Sequence, residues 1–180
     1  LEFLRALSAA RGGRVVLALE MFERDVQPVL DDYLAGRIAE ADFLARARPW
    51  PNYRTDYWPL VELAKSAGIP VIASNLPAEL RRKLSKDGAA ALAQLSPAER
   101  ALVPAPLIEN PPEYWERVEQ ATLGHGALEM GGGGSRLYDG QNLWDNTMAE
   151  SVARALAARP GSLVVHVNGG FHSAFWQGTV

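Results

Sequence analysis

Three short apolar runs, set far apart along the chain, constrain the fold more than any other feature. "GRVVLALE" (13–20), "IPVIASN" (69–75) and "SLVVHVNGG" (162–170) are nearly continuous and rich in valine, leucine and isoleucine. They do not alternate with polar residues, which is the pattern of strands covered on both faces. The stretches between them carry helical periodicity. After the first run, Val26, Val29, Leu30, Tyr33 and Leu34 share a helical stripe, with Asp25 as a candidate N-cap and Gly36 as a stop. "YWPLVELAKSAG" is a second helix, ended by Gly68, that feeds the second run. "PAELRRKLSKDGAAALAQLSPAERALV" divides at Gly88 and Pro97 into two or three short helices, and "PPEYWERVEQATLGHG" opens on prolines suited to a first helical turn. The longest predicted helix lies in "DGQNLWDNTMAESVARALAARPG", where Trp144, Met148, Val152 and Leu156 recur every four residues. Strands joined through helices pair in parallel, so the sequence predicts an α/β fold: a mainly parallel sheet with helices on both faces.

A chain of 180 residues with 48% hydrophobic content is the size of one domain, here residues 1–180. "GGGGS" at 131–135 is the low-complexity stretch and is expected to be flexible. With 18 basic against 21 acidic residues, the net charge of -3 supplies no footprint for nucleic acid and no polybasic membrane patch. Cysteine is absent, which excludes disulfides, thiolate metal sites, cysteine nucleophiles and C-x-x-C-H haem attachment. No apolar run reaches the ~18 residues of a membrane span. Leu1 opens directly into the predicted helix "LEFLRALSAA", so the expectation is a processed or incomplete chain with residues upstream.

Ligands of open α/β sheets bind beyond the carboxyl ends of the strands. Glu20, Asn75 and His172 fall at those ends. An acid, an amide and an imidazole at one sheet edge can hold a metal, relay a proton or bind a polar ligand. Each also has a plainer reading: Glu20 as a carboxylate at a helix N-terminus, His172 as a ring bonded to a loop carbonyl. His166, inside "LVVHV", reads as a satisfied core histidine, and His125, between two glycines, as solvent-facing. Gln141 and Asp145 are four apart and share a helix face beside Trp144, either as a solvated face or as further pocket residues. Trp50, Tyr53, Tyr57 and Trp58 crowd the loop "PWPNYRTDYWPL", where they cap the core or line an apolar site. There is no P-loop, no G-x-G-x-x-G after a strand, no G-x-S-x-G and no H-E-x-x-H, so nucleotide binding and serine hydrolysis lack support.

The blocks "LALEMFERDVQPVLDDYLAG", "YWPLVELAKSAGIPVIASNLP", "YDGQNLWDNTMAESVA" and "VVHVNGGFHS", in that order, resemble the ChaN-like family of bacterial haem-binding, iron-regulated lipoproteins. The resemblance covers most of the chain outside the middle helices and the glycine tract. That family is similar to the Tiki proteases and erythromycin-esterase-like proteins, whose first motif is a Gly-Glu-x-His strand. This chain lacks that segment, and Glu20 and His172 match the second and last motif positions. The resemblance therefore implies a further first strand upstream of Leu1.

It also implies haem bound in a homodimer, with a tyrosine on iron and a histidine of the partner subunit near the propionates. Tyr53, Tyr57 and Tyr138 are the candidate ligands, His125 and His172 the candidate histidines, and Trp144 a further cofactor contact. The implied location is the cell envelope, with membrane attachment only through a lipid anchor outside this chain. A second reading is a metal-dependent hydrolase in which Glu20 and His172, with the acid and histidine of the missing upstream motif, bind a divalent metal or activate water, Asn75 being a further catalytic candidate; oxygen and imidazole ligands suit Mn, Fe or Zn. A third is a non-catalytic interaction module.

Overall fold

The computed structural model describes residues 1–122 and 135–180, and in it the three apolar runs form one sheet. Helix α1 (Glu2–Ala10) turns into β1 (Val15–Glu23). A 3-10 turn (Arg24–Val26) opens α2 (Gln27–Leu34), followed by α3 (Glu40–Ala47), a π-helical turn (Tyr53–Tyr57), α4 (Trp58–Ala67) and β2 (Val71–Asn75). Then come α5 (Ala78–Asp87), α6 (Ala89–Leu92), α7 (Pro97–Leu102), α8 (Pro112–Thr122), α9 (Gly140–Ala158) and β3 (Leu163–Val167). Two short 3-10 turns, Gly170–His172 and Ala174–Trp176, close the chain.

The sheet is parallel throughout, in the order β2-β1-β3. Central β1 is buried from Val15 to Phe22, as its unbroken apolar run requires, whereas β3 lies at an edge and stays partly exposed. One face packs Leu17, Leu19 and Val71 against Leu4 of α1, Leu30 and Tyr33 of α2, Phe43 of α3 and Val61 of α4. Helix α9 crosses the other face and touches all three strands. A second core joins Leu80 and Leu84 of α5 to Leu143 of α9.

Two expectations shift. The first strand continues past Glu20 to Glu23, and Asp25 does not cap α2; its carboxylate pairs with Arg48 at 2.7 Å while the 3-10 turn intervenes. Helix α3 is not evident from the sequence, because its buried pair, Phe43 and Ala47, marks a single turn.

The reason β1 runs on is a bulge. Leu19 pairs with Ala73 and Glu23 with Asn75, so Glu20, Met21 and Phe22 face Ser74 alone. Extra residues on one strand break the side-chain alternation and re-aim the side chains beyond them. Met21 and Phe22 both enter the core, and Arg24 turns under α9. There its buried guanidinium donates to Ser151 Oγ at 2.9 Å, the Thr147 carbonyl at 2.6 Å, the Leu102 carbonyl at 2.9 Å and Glu150 at 2.8 Å. Burial works against this charge, and Glu150 offsets it. Removing one member of a buried, bonded pair costs about 3 to 5 kcal/mol. Arg24→Met is expected to lower the unfolding free energy by that amount in urea titrations, and a loss below about 1 kcal/mol would show that the network does not join the strand to α9.

Candidate functional site

The site forms at the carboxyl edge of the sheet, where β1 outruns its neighbour. β3 ends at Val167, opposite Leu19, and the next residue of β1 is Glu20. Among the described residues no strand continues on its β3 side, and the carboxylate turns to the loop after β3 and accepts the Gly169 N–H at 2.6 Å. Its other oxygen lies 3.5 Å from His172 Nε2. Glu20 and His172 are both 6% exposed, so the pair is shielded from water.

Asp145, fully buried on α9, holds the opposite side of the imidazole: its Oδ1 is 2.7 Å from His172 Nδ1. Gln141 Nε2, one helical turn earlier, is 3.1 Å from the same nitrogen. The shorter contact, to a buried carboxylate, takes the Nδ1 proton, which leaves Nε2 facing Glu20. Asp145 Oδ2 accepts from the Tyr114 hydroxyl at 2.5 Å and from Asn110 Nδ2 at 3.0 Å. Burial and Asp145 push the Tyr114 phenol far up, so it stays protonated and donates. Thr179 Oγ1 approaches Oδ1 at 3.4 Å. Gly178 allows this closure: at φ +73, a Cβ would lie 2.5 Å from the His172 carbonyl oxygen and 3.1 Å from Asp145.

Trp144 stands in T-shaped contact with His172, ring centroids 5.8 Å apart. Asn75 ends β2 with its Oδ1 accepting the Leu76 N–H at 2.8 Å, so its amide serves the local turn. His166 is half-buried on β3 with Nε2 3.2 Å from Ser74 Oγ; burial, with His172 second, pulls its pKa down to about 4. The arrangement thus brings together Glu20, Gln141, Trp144, Asp145 and His172. Tyr114 and Asn110 carry no sequence signal for this role, because their partner lies on another element.

The family described as "Haem-binding uptake, Tiki superfamily, ChaN" matches residues 1–180. The chain belongs to this family. Neither the curated proteins nor the solved structures gave a match.

The structure places the three candidate tyrosines differently. Tyr53 is enclosed between Phe22 and Phe43, its hydroxyl buried and, among the described residues, without a hydrogen-bond partner. Tyr138 packs against the second core. Tyr57 is half-buried at the end of the π-helical turn, edge-on to exposed Trp50 at 5.9 Å. Burial, then Glu20 and Asp56, push its phenol up. His125 lies outside the described residues. Among those residues, no group of three His, Asp or Glu side chains is arranged to hold a metal ion, and no helix is long and apolar enough to cross a membrane.

Two outcomes follow from the burial. Asp145→Asn replaces an acceptor with a donor among buried donors and is expected to cost about 2 to 4 kcal/mol in thermal or urea unfolding; an unchanged midpoint would mean that these hydrogen bonds do not form. His166 is held neutral in the fold, with a pKa below its ordinary 6.5. Its contribution is therefore complete above pH 6.5 and is lost as pH falls towards about 4. Partial exposure limits the loss to about 2 kcal/mol, and the unfolding free energy of His166→Gln should vary less than that of the parent across this window.

Proposed function

We propose that this protein binds haem through Tyr57 and serves bacterial iron uptake. Family membership supplies the ligand class, and the observation that carries the assignment is the half-buried Tyr57 ring set edge-on to exposed Trp50. Of the three candidate tyrosines, Tyr57 fits best. Tyr53 is only 2% exposed; Tyr57 and Tyr138 each pack partly against a core, and among the described residues Tyr57 makes a ring contact with an exposed tryptophan, Trp50, that Tyr138 lacks. Bound haem supplies a ferric centre that accepts an anionic oxygen ligand and keeps one position open. Tyr57 offers that oxygen, and the exposed edges of Trp50 and Trp58 offer apolar surface for a flat macrocycle.

In the free protein the raised phenol keeps its proton, so loading must release it. Apparent affinity then rises with pH while Tyr57 is protonated, by up to about tenfold per unit. In this reading the protein works in the cell envelope and pairs into a homodimer when loaded. Ferric haem titrated into the parent should give a saturable tyrosinate spectrum that Tyr57→Phe loses and Tyr53→Phe and Tyr138→Phe keep. A Tyr57→Phe spectrum identical to the parent's would remove the assignment.

A second reading is supported by the imidazole held between two buried carboxylates. Asp145 orients His172, and Nε2 towards Glu20 is poised to exchange a proton, as in a metal-dependent hydrolase. Stoichiometric Mn(II) or Zn(II) binding, lost in both Glu20→Ala and His172→Ala, would favour it. Retention of metal by both variants would exclude this site as the metal ligand set.

A further inference from the structure

Arg81, on α5, carries a cation that the fold stacks on an aromatic ring but, among the described residues, leaves without an ion-pair partner. Its guanidinium lies over the Trp144 ring, 4.2 Å from the centroid. Its Nε is buried with no hydrogen-bond partner, and among the described residues its terminal nitrogens make neither a hydrogen bond nor an ion pair. By contrast, Arg24 and Arg48 each meet a carboxylate within 2.9 Å. Glu23 and Asp139 are close enough to favour the charge but form no ion pair with it, and Arg82 opposes it. A buried guanidinium N–H left without an acceptor is costly unless a ligand takes it, and the terminal nitrogens of Arg81, not fully buried, are open to the same ligand.

Its surroundings say where such a ligand sits. Gly140, the first residue of α9, makes room: a Cβ there would come within 2.9 Å of Arg81 Nη1. The next residue, Gln141, reaches His172, and Trp144 touches both Arg81 and His172. Arg81 and the buried cluster therefore share Trp144 as a neighbour. The stack on Trp144 restrains the guanidinium before anything binds, so less side-chain entropy is lost on docking.

We propose that Arg81 is the docking group for a ligand carboxylate beside the His172 cluster. A guanidinium fork matches a carboxylate in plane and presents two parallel N–H donors, which a lysine cannot do. This deepens the haem reading and rests on it: the carboxylate is then a porphyrin propionate. Small carboxylates share the chemistry and allow the site to be tested apart from haem.

The test pairs ferric haem with its dimethyl ester, which lacks both carboxylates, on the parent and on Arg81→Gln. The expected result is about a tenfold loss of haem affinity in Arg81→Gln, with ester affinity unchanged between the two proteins. Equal haem affinity in both proteins overturns the proposal, as does an equal loss for haem and ester, which would mark a structural role. Should Arg81→Gln not fold, Arg81→Lys takes its place, with a several-fold loss for haem alone expected and equal affinity overturning. If the parent binds neither compound, the haem reading falls, and a benzoate titration followed at the Arg81 guanidinium ¹⁵N resonance decides the site separately. A saturable shift supports the docking group; no shift overturns it.

Discussion

Asp145 is the interaction around which the second half of the molecule is organised. A carboxylate with no exposure is tolerated only where donors replace water. Here they come from separate pieces of chain: Asn110 before α8, Tyr114 within it, His172 after β3 and Thr179 at the end. One buried charge on α9 thus fastens α8 and the closing segment to the helix that covers the sheet. His172 is held in one tautomer as a by-product of that need, so the residue most suited to chemistry is also a structural donor.

The other half of the site depends on where pairing stops. β3 ends opposite Leu19, and the bulge in β1 separates Glu20 from regular pairing with β2. An acid in the middle of a paired, buried strand would have no donor to meet. At the broken edge it meets the Gly169 amide and the His172 ring. The same irregularity turns Arg24 beneath α9, where it replaces strand pairing with hydrogen bonds to Thr147 and Leu102. Sheet edge and covering helix are therefore joined by two ionic arrangements, one closing each side of the bulge.

Much of this architecture is legible in the sequence. The three apolar runs and the stripes between them lead to a parallel sheet covered by helices, and the strand ends point to Glu20 and His172. Asp145 is legible only as a partner of Gln141 on a helix face, because helical spacing reports which residues are neighbours, not which face is buried. The sequence places Asn75 at a strand end as it does Glu20, yet its short side chain closes on its own backbone, and β1 runs three residues past Glu20. Tyr57 and Tyr53 come from one aromatic loop, and nothing in their spacing says that Tyr53 is enclosed by Phe22 and Phe43 while Tyr57 is set edge-on to exposed Trp50.

By itself the sequence determined the class of fold, the three strands and the family, since these depend on local periodicity and on ordered motif blocks. Only the tertiary structure decided which polar residues meet. Tyr114 and Asp145 are 31 residues apart, Glu20 and Gly169 are 149 apart, and Arg81 and Trp144 lie on different helices. Those encounters depend on how far each strand runs before pairing fails and on how the helices pack, and both are set by burial across the whole chain.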